Sequence, residues 1–252
     1  MPRTPTALCR YDMALRAIRD IPVGRFIEIG CGTGDFLIEL GRAGWSGVGI
    51  DLSADAIQEA ADSITQEQLL GIAVRQEDLL DVSGRFDAAF CFEVLEHISD
   101  DVEFMKRVRT LLGPTGIFVL SVPARMDRWS PTDDLAGHVR RYERDELIEK
   151  LSSAGFSDIS VRSMAVPLAN MLKPALDRRN HARMGEMGDR SLSERTIASG
   201  MHRPTRASGR TYRLLFNRFT LAPALLLQRV FARSDLGRNY LVSALAAQSS
   251  DS

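Results

Sequence analysis

The run Phe26-Ile27-Glu28-Ile29-Gly30-Cys31-Gly32-Thr33-Gly34-Asp35-Phe36 constrains this chain more than any other stretch. Arg25 to Ile29 is a short apolar run that reads as a buried parallel strand, and the helical pattern Asp35 to Ala43 follows at once. The glycines between them permit backbone conformations closed to other residues and let a ligand approach with no Cβ in the way. The loop is therefore a ligand seat. The next strand, Gly47 to Asp51, ends in an acid about twenty positions on, the spacing of a carboxylate that grips a ribose diol.

Taken in order, Tyr11 to Arg19 carries apolar residues at helical spacing and predicts a leading helix stopped by Pro22. Beyond Asp51 come a helix from about Ala54 to Thr65, capped by Ser53, and a strand near Ile72 to Arg75. Phe86 to Phe92 is apolar on both faces, as in a central parallel strand. A helix then begins at Asp100 and Asp101, ends in basic residues and is terminated by Gly113-Pro114. The fifth strand is Gly116 to Val122, and Ala124 to Arg144 reads as a long polar loop, a length uncommon without a function. A helix Arg144 to Ala154 and a strand Ile159 to Met164 beside the fifth strand follow. Alternating strands and helices imply an α/β fold, an open doubly wound and mostly parallel sheet with ligands at its carboxyl ends.

Four phrases in this order, E-I-G-C-G-T-G, G-I-D-L-S, E-D-L at 77–79 and F-D-A-A-F-C-F-E-V-L-E-H-I at 86–98, resemble the class I S-adenosylmethionine (SAM)-dependent methyltransferases of bacterial small-molecule type. The resemblance covers roughly residues 20 to 165. It implies a Rossmann-like, seven-stranded sheet whose last strand, Asn239 to Ala247, is antiparallel. It divides the chain into a SAM-binding core (1–165), an inserted helical cap carrying the acceptor site (166–238), and the last core strand with its tail (239–252). For the cofactor it implies Glu28, Gly30, Gly32 and Gly34 on the methionine and ribose side, Cys31 as a small residue among them, Asp51 on the diol and Leu52 against adenine. In the loop of Asp78 and Leu79 a side-chain carboxylate would hold the adenine amino group beside a backbone contact, Phe92 or Glu93 would offer a backbone carbonyl to the SAM amino group, and Tyr11 would touch the methionine end. The phrase G-H-V-R-R-Y at 137–142 looks like the segment that such enzymes lay over the acceptor.

The reaction so implied is an in-line displacement, for which a positioned donor and acceptor supply much of the barrier lowering, on the order of 7–11 kcal/mol in favourable cases. A base is optional. His97, just beyond the fourth strand, and His138 in the long connection are the catalytic candidates, since an imidazole titrates in the right range; a structural role in its own loop is the alternative for His97. Arg140 and Tyr142 are substrate candidates. The histidines and carboxylates lack a metal-ligand spacing in sequence, so no metal is expected.

Charge narrows the partners. The whole chain carries a net −1, but residues 170–252 hold 14 Lys+Arg against 6 Asp+Glu. That basic third suits an anionic or lipid-like small-molecule acceptor, or peripheral contact of the apolar block Leu214 to Phe231 with a membrane surface; a solvated cap is the plain alternative. With no basic, aromatic-rich appended module, nucleic acid is not expected as a partner. Three cysteines without a CxxC pair, and the lack of a leader or transmembrane stretch, fit a cytoplasmic monomer or homodimer. Two alternatives remain: an NAD(P)-dependent oxidoreductase, against which the third glycine of the dinucleotide fingerprint is misplaced, and a non-catalytic SAM-binding protein.

Overall fold

The computed structural model describes residues 4–167, 170–171 and 220–247. Seven strands form one sheet in the order β3-β2-β1-β4-β5-β7-β6: β1 Arg25–Ile29, β2 Ser46–Asp51, β3 Ile72–Gln76, β4 Phe86–Phe92, β5 Leu112–Pro123, β6 Phe156–Met164 and β7 Asn239–Ala246. Strands β1 to β5 pair in parallel, and β7 is antiparallel to both β5 and β6. The expected architecture, antiparallel last strand included, is present.

Two apolar layers cover the sheet. On one face α4 (Asp101–Leu111) and α6 (Arg144–Ser153) bury Met105, Val108, Leu147 and Leu151. On the other, α1 (Pro5–Ala17), α2 (Asp35–Arg42) and α3 (Ala54–Gln66) join α7 (Ala222–Phe231) around Phe26, Phe36, Phe90 and Val119. Helix starts follow side-chain capping: Ser53 and Asp100 accept from the N–H three residues on.

Four expectations need correction. Helix α1 begins at Pro5, six residues before Tyr11, because Thr4 caps it and Pro5 suits a first helical position; it stops at Ala17, short of Pro22. Helix α4 ends at Leu111, and Gly113-Pro114 lie inside β5, which Leu112 already pairs with Phe86 across a register shift. The connection from Ala124 to Arg144 is not a bare loop: it holds a 3-10 turn, Met126–Arg128, and α5, Pro131–Ala136, closed by a Ser130/Asp133 capping box. Finally, β6 does not lie beside β5. Strand β7 is buried on both faces and takes the inner place, whereas β6 leaves Ser157, Asp158 and Arg162 to solvent, as an edge strand should.

Most of the expected cap at 166–238, and the first part of the block Leu214 to Phe231, lie outside the described residues; the block's remainder includes α7. Among the described residues no helix is long and apolar enough to cross a membrane. Thr4→Ala removes the acceptor for the Ala7 N–H at 3.1 Å. The expected cost is about 1 kcal/mol, read as a lower urea midpoint and faster amide exchange in the first turn of α1.

Candidate functional site

The strand order makes the gap between the carboxyl ends of β1 and β4 the switch point at which open α/β sheets bind ligands. Three segments meet there: the glycine loop 30–34, the end of β2 at Asp51, and residues 93–97. Gly30 has φ +70°, and a Cβ on it would stand 2.4 Å from Val94 Cγ2, so only glycine lets the two loops close on each other. The N–H groups of Gly30 and Cys31 donate to Ile50 O at 2.9 and 3.0 Å. The N–H groups of Gly32 and Ser53 donate to the two oxygens of Asp51, each at 2.9 Å. A carboxylate has about four acceptor positions, so Asp51 pins the loop and keeps acceptor capacity for a ligand.

Glu28 projects from β1 beneath this loop, 4% exposed, with Oε2 buried and without a hydrogen bond. Burial pushes its pKa well above the ordinary carboxylate range; Asp35 adds to the rise and Arg10 opposes it. Arg10, on α1, stands over the Phe92 ring at 5.8 Å and reaches Glu93 Oε1 at 3.2 Å, while its own Nε is buried without a partner. Glu93, at φ +56°, also accepts from Ser121 Oγ at 2.7 Å and Asn239 Nδ2 at 2.8 Å. Tyr11 lies beside these groups, its ring 5.0 Å from Phe36 and 6.4 Å from Phe92.

Arg10 is the residue that sequence reading missed. Its signal was its place one position before the aromatic already singled out, but an arginine on an amphipathic helix reads as a solvated one until the fold turns it inward.

Leu52, next to Asp51, is 65% exposed. Asp78 turns its Oδ1 to the Leu80 N–H, and the Leu79 side chain is buried in the core while its carbonyl accepts from Arg107. Cys31 is a buried thiol whose pKa is raised, chiefly by desolvation, so it is inert as well as small.

The histidines come together. His97 and His138 stack edge to face, centroids 5.0 Å apart, and His138 Nε2 is 3.6 Å from Oε1 of fully buried Glu96. One donor atom each from Glu96, His97 and His138 lies within 4.8 Å of the others, a grouping that the separation in sequence concealed. Burial, followed by the charge of His138, lowers the pKa of His97. The two substrate candidates are placed differently from the expectation. Tyr142 is wholly buried and its hydroxyl hydrogen-bonds Leu95 O at 3.2 Å and Asp101 Oδ2 at 2.9 Å. Arg140 donates to Asp101 Oδ2 at 2.7 Å and to Ser99 O. Both anchor the connection to α4, since a carboxylate at the start of a helix outcompetes water for these donors.

The residues present fit SAM. Asp51 has acceptor positions left for a diol, exposed Leu52 offers an apolar face for adenine, and the orphaned Nε of Arg10 beside buried Glu28 suits an amino-acid carboxylate and ammonium. Phe92 and Glu93 border the same mouth from the end of β4.

Comparison with known proteins agrees with this architecture. A family model described as a methyltransferase domain matches residues 5–161. A ubiquinone biosynthesis O-methyltransferase of Azorhizobium caulinodans is 34% identical over 109 residues, covering 42% of this chain and 43% of that one. One from Rhodopseudomonas palustris is 33% identical over 118 residues, 46% of each. The chain thus spans under half the length of these curated relatives. Among solved structures, the [4+2]-cyclase SpnF superposes with TM-score 0.62 at 19% identity, over 94% of this chain and 80% of that one. Magnesium protoporphyrin IX methyltransferase from Synechocystis with bound S-adenosylhomocysteine gives TM-score 0.51 at 21% identity, over 60% of this chain and 74% of that one. Those two likenesses speak to the fold.

Proposed function

The chain belongs to the methyltransferase family whose domain model spans residues 5–161, and from that premise we propose that it transfers a methyl group from SAM to an oxygen or nitrogen of a small molecule. The observation that carries this reading is the Asp51 carboxylate bonded to the Gly32 N–H inside a loop of left-handed glycines. That loop seats a nucleoside without the pyrophosphate contact a dinucleotide needs.

Bound there, SAM supplies an activated methyl carbon on a sulfonium. The chain's own residues do the rest. Asp51 and the glycine loop fix the ribose, and Leu52 with Asp78 and Leu79 borders adenine. Arg10 clamps the carboxylate, with Glu28 and the Phe92–Glu93 backbone facing the ammonium and Tyr11 covering the methionine end. The 93–97 segment and the two histidines would then border the place where an acceptor is brought into line with the methyl group. The basic stretch 166–238 is assigned to acceptor recognition, for an anionic or lipid-like small molecule, on its charge.

A thermal-shift comparison tests the donor. S-adenosylhomocysteine at a hundredfold excess over its Kd is expected to stabilise the fold by about 2.7 kcal/mol, with no shift from NAD; the reverse result overturns the reading. Arg10→Ala is expected to weaken S-adenosylhomocysteine by roughly tenfold to a hundredfold, the loss of one charge-assisted bond, measured by calorimetry, with the fold retained.

A further inference from the structure

Among the described residues, Glu96 alone has both carboxylate oxygens buried without a hydrogen bond. It is 0% exposed, in the 3-10 turn Leu95–His97 that follows β4. Buried charges are paired or coordinate a metal, because a lone one is very costly. The backbone brings two histidines to this carboxylate. The Val139 N–H donates to Glu96 O at 3.0 Å, which lays the segment after α5 against the turn, with His138 beside Glu96. His138 Nε2 stands 3.6 Å from Glu96 Oε1, past hydrogen-bonding distance, and one donor atom each of Glu96, His97 and His138 falls within 4.8 Å of the others.

Both rings are oriented by acceptors outside the cluster. Asp133 Oδ1 meets His138 Nδ1 at 2.9 Å, and the same carboxylate takes Arg141 Nε and Nη2 at 2.9 Å each and the Ser130 N–H at 2.8 Å. A carboxylate so supplied with donors only accepts, so His138 Nδ1 carries the hydrogen and Nε2 of the neutral ring has the lone pair. Gly137 O, which can only accept, sets His97 the same way through Nδ1 at 3.1 Å. A carboxylate or a backbone carbonyl on the outer nitrogen is the arrangement that fixes the tautomer and direction of metal-ligating histidines.

We propose that Glu96, His97 and His138 bind one divalent transition-metal ion of the zinc type, with Asp133 and Arg141 as positioning residues behind His138. Two imidazole nitrogens and one carboxylate oxygen are a donor set for Zn2+ or Co2+, whereas Mg2+ and Ca2+ take oxygen ligands. Zinc bonds to such atoms are about 2.1 Å long, which sets tetrahedral ligands roughly 3.4 Å apart. The Glu96–His138 separation is already close to that, and side-chain rotation of on the order of 1 Å closes the set. Charge agrees as well: a dication on one carboxylate and two neutral rings leaves a single positive charge, which the Asp133 carboxylate faces through His138. Three protein ligands leave a position for water or for a polar atom of a small molecule. The site goes beyond the donor reading and its test needs no SAM.

Zinc titrated by calorimetry into the whole chain, stripped beforehand with a chelator, is the experiment. The expected result is one tight equivalent that excess Mg2+ does not displace, that raises the melting temperature, and that Co2+ replaces with visible d–d bands of a nitrogen- and oxygen-ligated ion. Asp133→Asn, which removes only an outer contact, is expected to weaken that equivalent roughly tenfold to a hundredfold. Glu96→Gln and His138→Ala, which remove ligands, weaken it further and change the cobalt bands. No tight equivalent in the parent protein, displacement by Mg2+, or parent-like zinc affinity and cobalt bands in both Glu96→Gln and His138→Ala overturns the proposal. Glu96→Gln is nearly isosteric, so the test survives if Asp133→Asn does not fold. S-adenosylhomocysteine binding by the stripped protein reports on the donor reading separately, and either site can fail without the other.

Discussion

Asp51→Ala is expected to abolish measurable S-adenosylhomocysteine binding at concentrations that saturate the parent protein. Two losses combine. The ligand loses a charge-assisted acceptor, about 1.5–3 kcal/mol by the usual measure for such bonds, which is a tenfold to hundredfold weakening. The loop loses its pin as well, because the N–H groups of Gly32 and Ser53 both bond to this carboxylate, and a glycine segment released from its bonds must be ordered again at each binding event. Asp51→Asn separates the two, since its carbonyl oxygen can still take one N–H; it should keep more of the affinity than Asp51→Ala. Calorimetry on the two variants reads the difference, and equal, parent-like affinities would remove Asp51 from the site.

Asp101→Ala should be the most destabilising single change outside the sheet, by about 3–5 kcal/mol, the usual result of removing one partner from a buried ion pair. Its side chain is 5% exposed, and Arg140 Nη1 and Lys150 Nζ each reach Oδ2 at 2.7 Å. The Tyr142 hydroxyl donates to the same oxygen at 2.9 Å. Without the carboxylate, Arg140 loses its counter-ion, Lys150 keeps only Glu146 at 2.9 Å, and the buried Tyr142 hydroxyl keeps only Leu95 O at 3.2 Å. The same hub sets a pH dependence. Burial pushes Asp101 upward, but the bonds from Lys150 and Tyr142 prevail and hold its pKa below the ordinary value. A depressed carboxylate contributes stability that is fully present above its unfolded pKa of about 3.9 and is lost as pH falls through the folded one. Urea midpoints of the parent protein should therefore fall below about pH 4 more steeply than those of Asp101→Asn.

The sheet was legible because its signals are local. Arg25–Ile29 and Phe86–Phe92 were read to the residue, since unbroken apolar runs bounded by turn residues leave little choice. The turn itself was legible for the same reason: Gly30, Gly32 and Gly34 all take positive φ between β1 and α2. What failed was non-local. Nothing in the periodicity of Phe156–Met164 says which strand it will touch, and the answer lay in comparing its exposed residues with the doubly buried Asn239–Ala246. Tyr142 and Arg140 read as polar groups at a ligand because their partner, Asp101, is about forty positions away and looked like a helix start alone. The convergence of Glu96, His97 and His138 was hidden in the same way, since α5 and its cap carry His138 back across the end of β4.

The placing of β7 bears on how the molecule is made. Ile117–Pro123 pairs with residues 239–245, so during synthesis the apolar border of β5 waits, unpartnered, for more than a hundred further residues to leave the ribosome. Long-range antiparallel closure of that kind is slow, and an open border is a template for the wrong chain. Yield in the cell should accordingly depend on chaperone supply and growth temperature, even for variants whose finished fold is as stable as the parent.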